Sequence, residues 1–298
     1  MKRVFVFMGL VSAAILVTDA QAWRITTNNP GGADCELREI ADPTGNRGAS
    51  TEIASRVASN RNSLIYLKFG VANLSTADLM GDITVRTTYR NNNLVESRFY
   101  DPVRYGYTGW DYYVLDPTVD GADWGELDIN PSLNPPPGYY YDGDAGTKAV
   151  YDEFGDLNSG LTYLGQQLYD SADLVGTTPH LPVGGAFDFT LSAGSALHAA
   201  IAAAQATDHQ TVTIVMTIAH DYWWEGIPSN WVNFNYLFNP KEMTTLNKDP
   251  DSLWSEGTIA QWGDIFAPQL TNEAHPVPEP ATMVLLGLSG LLLLRRKR

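Results

Sequence analysis

The chain has 298 residues, a formal net charge of −15, 44% hydrophobic residues and a single cysteine, Cys35. One cysteine excludes an internal disulfide and a thiolate-built metal site, and the acidic balance repels phosphate backbones, so nucleic acid is not an expected partner. Cations and neutral glycans are compatible with such a surface, although solubility alone is the plainer account of the charge.

Met1-Lys2-Arg3, an apolar run over 4–17 and then Ala20-Gln21-Ala22 follow the charged, apolar and small-residue order of a secretory signal peptide. The apolar run is short for a membrane span, so 1–22 reads as a leader cut before Trp23. The body is then 23–275, and it is more acidic than the whole chain because both ends that leave it carry net positive charge. About 250 residues can bury a core large enough to hold without disulfides. Cys35 itself reads as a small buried side chain.

From Trp23 onward the sequence is rich in Asn, Asp, Gly, Pro and Thr, with short apolar or alternating runs between turn signals, the pattern of a β-sandwich or barrel. Strands are expected at 64–69, 83–89, 95–100, 186–191, 211–219, 231–238 and 266–270. The first two show the period of two, as in Leu64-Ile65-Tyr66-Leu67-Lys68-Phe69. One helix is expected over 193–206, an Ala-rich stretch with Leu197 and Ile201 four apart and Ser192 as its cap.

A Pro-, Gly-, Asp- and Tyr-rich insertion runs over 116–160 and includes Asn134-Pro135-Pro136-Pro137-Gly138, which reads as extended surface loops because Pro cannot donate to a ladder. Within it Asp142 and Asp144 alternate around Gly143, as at the start of a calcium loop, with Asp152, Glu153 and Asp156 near enough in sequence to contribute. The remaining ligand spacing of such a loop is missing, and the other reading is a solvated acidic face without cofactor.

His220-Asp221 follows the strand at 211–219 and reads as ordinary loop polarity. Next come Tyr222-Trp223-Trp224, three adjacent aromatics that cannot all face one core. Flat rings stack on sugar C–H surfaces and lose little entropy on binding, so Trp223, Trp224 and Tyr222 are candidate glycan contacts, with Trp110 behind them. The plainer reading is that the rings cover a sandwich edge. The chain has no Gly-x-Ser-x-Gly elbow, His-Glu-x-x-His, phosphate loop or dinucleotide fingerprint, so the expectation is a non-catalytic binding or structural module. The rival is a secreted polysaccharide-degrading enzyme using paired carboxylates, a chemistry that sequence spacing does not reveal.

At the C-terminus Pro278-Glu279-Pro280 is followed by an apolar run over 281–294 and by Arg295-Arg296-Lys297-Arg298. As a helix that run reaches only ~21 Å against a hydrocarbon core of roughly 30 Å, so it enters a membrane but barely spans it. The basic cluster holds the end on the cytoplasmic side. Tripeptide, short apolar segment and terminal cations together resemble the PEP-CTERM sorting signal of proteins exported by Gram-negative bacteria. The resemblance implies that Pro278, Glu279, Pro280, Arg295 and Arg296 are read by a membrane-embedded exosortase, that 276–298 inserts transiently into the membrane, and that the protein ends at the cell surface or in an extracellular matrix, where polysaccharide is a fitting partner.

A second resemblance rests on Ala33-Asp34-Cys35-Glu36-Leu37-Arg38-Glu39, a loop with Gly48, the strand 64–69, Trp124-Gly125-Glu126, Phe187-Asp188-Phe189-Thr190 and Ala267-Pro268-Gln269-Leu270. In this order they are similar to DNRLRE-type secreted domains, which implies a mostly β, jelly-roll-like sandwich with one short helix. The insertion and the Tyr222 segment depart from that pattern, so no binding site carries over.

Overall fold

The computed structural model describes residues 22–38, 44–50, 53–57, 63–88, 107–139, 150–151, 156–170, 186–218, 234–238, 241 and 267–273. The strands are β1 (Arg24–Thr26), β2 (Ala33–Arg38), β3 (Ile53–Val57), β4 (Ser63–Gly70), β5 (Ile83–Thr88), β6 (Tyr107–Leu115), β7 (Leu161–Asp170), β8 (Ala186–Leu191), β9 (Thr211–Ile218), β10 (Phe234–Phe238) and β11 (Gln269–Thr271). One α-helix, α1 (Ala196–Gln205), and one 3-10 turn, Asp78–Met80, complete the described elements. The expected strands at 64–69, 83–89, 186–191, 211–219, 231–238 and 266–270 are present with shifted ends, and the one at 95–100 lies outside the described residues.

The strands form two antiparallel sheets, ordered β1-β11-β5-β8 and β10-β3-β4-β9-β6-β7, with β2 along β4. The chain is thus mostly β, two sheets packed as a sandwich with one helix. Period-two alternation places the core. Ile65, Leu67 and Phe69 of β4, Val212, Ile214 and Met216 of β9, and Trp110, Tyr112 and Val114 of β6 all face Val85, Phe187, Phe189 and Leu270 of the smaller sheet. Tyr112 stacks on Phe189 with ring centroids 4.1 Å apart. Leu197, Ile201 and Ala204 lay α1 against the same core. Ser195, not Ser192, is the helix N-cap, and its hydroxyl meets His198 Nδ1 at 2.9 Å instead of capping a backbone N–H.

The insertion over 116–160 differs from its expected surface-loop form. Ala122, Trp124, Ile129 and Val150 from it cover Cys35, Leu37, Leu64, Tyr66, Tyr113 and Val215 on the outer face of the larger sheet. That sheet is therefore buried on both faces, which is why β4 carries an almost unbroken apolar run. Trp124 donates from Nε1 to Thr213 Oγ1 at 3.0 Å, and Lys68 donates its Nζ to the Trp124 carbonyl. Single anchoring side chains, each with its polar atom satisfied, thus seat a chain segment too irregular to show any period.

The two long margins of the sandwich are sealed differently. At one, Gly165 of β7 takes φ +136 beside a register shift in the β6–β7 ladder, and a Cβ there would sit 3.2 Å from the Phe189 ring. Gln167 then reaches across to donate to the Asp188 carbonyl of β8 at 2.6 Å. At the other, Thr27 just past β1 donates its hydroxyl to Asp34 of β2 at 2.7 Å. Among the described residues no helix is long and apolar enough to cross a membrane, and the expected C-terminal membrane helix lies outside them.

Candidate functional site

Trp110, an expected glycan contact, is fully buried and packs edge-on against Phe187 with centroids 4.5 Å apart. That is a correction: its position on β6 points the ring between the sheets, where no ligand reaches it. Tyr222, Trp223, Trp224, the calcium candidates Asp142 and Asp144, and His220-Asp221 lie outside the described residues, as do Asp152 and Glu153. Among the described residues no group of three or more His, Cys, Asp or Glu is placed to hold a metal ion.

Two polar arrangements do come together. The first is a buried seam around Asp34. Alternation along β2 sends Ala33, Cys35 and Leu37 to the outer core, and Asp34 and Glu36 to the other face. Glu36 pairs with Arg38 at 2.6 Å, and Glu126 pairs with Lys241 at 2.5 Å. Asp34 Oδ2 accepts from Thr27 Oγ1 at 2.7 Å and from the Lys241 backbone N–H at 3.1 Å, while buried Oδ1 has no partner.

Burial pushes the Asp34 carboxyl up to about 6, against the hydrogen bonds from Thr27 and Lys241, and the nearby Glu126 charge adds to the rise. The Trp124-Gly125-Glu126 turn is gripped in place: Asn46 donates to the carbonyls of Glu126 at 2.9 Å and Ile129 at 2.8 Å. Gly48 lies against the Glu126 backbone with no room for a Cβ. The residues in this seam come from five separate stretches of sequence, and they close a margin of the sandwich. Asp34 is wholly inaccessible, so no polymer substrate touches it.

The second arrangement lies on the outer face at β6 and β7. Tyr163 is 48% exposed, and its hydroxyl donates to Asp111 Oδ1 at 3.2 Å. Gln166 donates to the same oxygen at 2.9 Å. The Tyr163 ring leans on buried Tyr113, centroids 5.3 Å apart, and Tyr113 and Tyr151 share a hydroxyl contact at 3.2 Å. A half-exposed ring beside a partly exposed primary amide suits C–H stacking together with a hydrogen bond to a sugar hydroxyl, while the buried Asp111 carboxylate holds the Tyr163 hydroxyl and the Gln166 amide in place. Sequence reasoning missed Tyr163. The available signal was Leu161-Thr162-Tyr163-Leu164 opening a strand directly after Gly160, which leaves one aromatic facing outward.

The fold therefore defines a two-sheet β body whose last strand, β11, ends at Thr271, close to the C-terminal tail. The chain carries the PEP-CTERM protein-sorting motif over residues 276–298, which contains Pro278, Glu279, Pro280, Arg295 and Arg296. The motif marks an exported, cell-envelope-associated protein recognised by an exosortase. No curated protein matches the chain.

Proposed function

We propose that this protein is exported across the inner membrane of a Gram-negative-type cell, sorted by an exosortase, and displayed at the cell surface or in the extracellular matrix as a binding module for polysaccharide. The sorting motif at the extreme C-terminus, a few residues beyond the closing strand of a folded body, is the observation that carries the sorting half of this reading. For the binding half, support comes from the Tyr222-Trp223-Trp224 segment and from the Tyr163–Asp111–Gln166 surface. Calcium at Asp142 and Asp144 belongs to the same proposal, as does cleavage of the leader before Trp23.

Affinity electrophoresis of the body through gels holding acidic or neutral polysaccharides, with and without calcium, tests the binding half. Retardation by one class of polymer is expected, lost in Trp223→Ala with Trp224→Ala and weakened in Tyr163→Ala. Unchanged mobility in every gel would leave a structural matrix component as the surviving reading. Sustained release of short glycans, abolished by one Asp or Glu substitution, would instead establish the polysaccharide-degrading alternative.

A further inference from the structure

The first and last strands of the body are hydrogen-bonded neighbours, with Arg24 opposite Thr271 and Thr26 opposite Gln269. Beyond that ladder the two chain exits are clasped. The Trp23 backbone N–H donates to Asn272 Oδ1 at 2.7 Å, and the Trp23 carbonyl accepts from Thr271 Oγ1 at 2.7 Å and from the Asn272 N–H at 3.3 Å. The Trp23 indole donates to the Asp78 carbonyl at 3.1 Å, which pins the Asp78–Met80 turn beside both exits. That turn is rigid, because Asp78 Oδ2 accepts from the Ser75 N–H at 2.8 Å and the Ser75 hydroxyl at 2.7 Å. At its tip Met80 is 75% exposed, whereas Trp23 and Leu79 are partly buried against the core.

From Glu273, the last described residue, to Ala281, where the apolar run begins, is eight residues, which span at most ~28 Å of fully extended chain. A tail held in a bilayer at the end of that tether keeps this end of the sandwich nearest the lipid surface. A tether so short raises the effective concentration of the contact to the millimolar range, so a weak apolar contact suffices. Asp78 and Asp82 face outward near Met80, with Arg24 the exposed cation on β1. The contact is therefore apolar in character and favours a zwitterionic surface over an anionic one.

We propose that the end of the sandwich bearing Trp23 and the Asp78–Met80 turn docks on the bilayer surface while the sorting tail is inserted, with Met80 as the leading contact. The proposal rests on the reading that 276–298 enters the membrane. Docking fixes the distance and orientation at which the Pro-Glu-Pro motif meets a membrane-embedded enzyme.

Leu133 supplies the control, since it is 74% exposed and belongs to the insertion at 116–160, bonded through its N–H to Asn130 and not to the clasped exits. Residues 23–298 are prepared as Met80→Cys and Leu133→Cys, labelled with a polarity-sensitive fluorophore, and mixed with phosphatidylcholine–phosphatidylethanolamine vesicles carrying brominated chains. Buried Cys35 stays unlabelled in the native protein, and the unsubstituted chain checks this. The protein is expected to float with the vesicles, and a side chain buried ~5–10 Å into the interface predicts quenching at position 80 about twofold or more above that at 133. Flotation with equal quenching at both positions would overturn docking and leave tail insertion standing. Absence of flotation would overturn tail insertion and docking together.

Discussion

The inner core between the two sheets and the outer core beneath the 116–160 layer are built from the same strands by different means. Between the sheets, each strand contributes alternate side chains and both walls are regular, so the packing follows from the pleat. On the outer side one wall is regular and the other is a loop that reaches the sheet with Ala122, Trp124, Ile129 and Val150. The loop is positioned by polar contacts at single points: Lys68 to the Trp124 carbonyl, Trp124 to Thr213, and Asn46 to two carbonyls. A sheet with two apolar faces needs two covers, and only one of them has to be a sheet.

The strongest test of that comparison truncates one tryptophan in each core. Trp110→Ala and Trp124→Ala are each expected to cost about 3–5 kcal/mol, because both rings are buried and both pack on an aromatic neighbour. Urea unfolding followed by near-UV and far-UV circular dichroism is the measurement. A single coincident transition in both variants is expected, since β4, β6 and β9 serve both cores. An early separate step in Trp124→Ala would show instead that the outer layer folds as an independent unit.

The margin at Asp34 connects the two regions, and its effect is set by pH. The folded carboxyl titrates near 6 against an ordinary 3.8. Below about 3.8 both states hold the proton; as pH rises toward 6 the unfolded chain releases it first. Stability is therefore lost as pH rises from about 4 to about 6 and levels off above the folded value, by about 2 kcal/mol at pH 8 relative to pH 4 from this group alone. Asp34→Asn keeps an acceptor for Thr27 and the Lys241 N–H, and removes the titration. Urea midpoints measured from pH 4 to pH 8 are expected to fall in the parent, chiefly below about pH 6, and to stay flatter in the variant. Equal slopes in both would show that Asp34 keeps its charge at no cost.

The inner core was legible because β4, β5, β8 and β9 advertise themselves as apolar or alternating runs between turn signals, and α1 by its alanines. Strands β1, β2 and β3 were not, for a physical reason. Ala33-Asp34-Cys35-Glu36-Leu37-Arg38 alternates correctly, yet its polar positions point into a buried seam, so the sequence looks too charged for a strand closed on both faces. Trp110 failed in the opposite direction: read as a surface contact, it is core, and β6 is buried on both sides, because Trp110 and Tyr112 face one core and Tyr113 the other. For Trp124 nothing local reveals burial. Its flanks are Asp123 and Gly125, and the apolar surface that receives it is assembled from β2, β4, β6 and β9. Of the site, the sorting motif was readable because its chemistry is contiguous, while the Asp34 seam and the Tyr163 surface exist only once distant strands are paired.

The smallest expected effect concerns the margin opposite Asp34. Gly165 holds φ +136, a conformation that side-chain-bearing residues avoid, and it lies where β7 must bend toward β8 for Gln167 to reach the Asp188 carbonyl. Gly165→Ala therefore meets backbone strain as well as the Phe189 ring. The expected loss is about 1–3 kcal/mol, read as a shift of the urea midpoint with unchanged slope. Because Tyr163 precedes the bend by two residues and Gln166 follows it by one, the same substitution is expected to weaken any glycan retention that depends on Tyr163. If retention survives a shifted midpoint, the bend serves closure of the sandwich alone, and the Tyr163 surface is set by the β6 ladder rather than by the bulge.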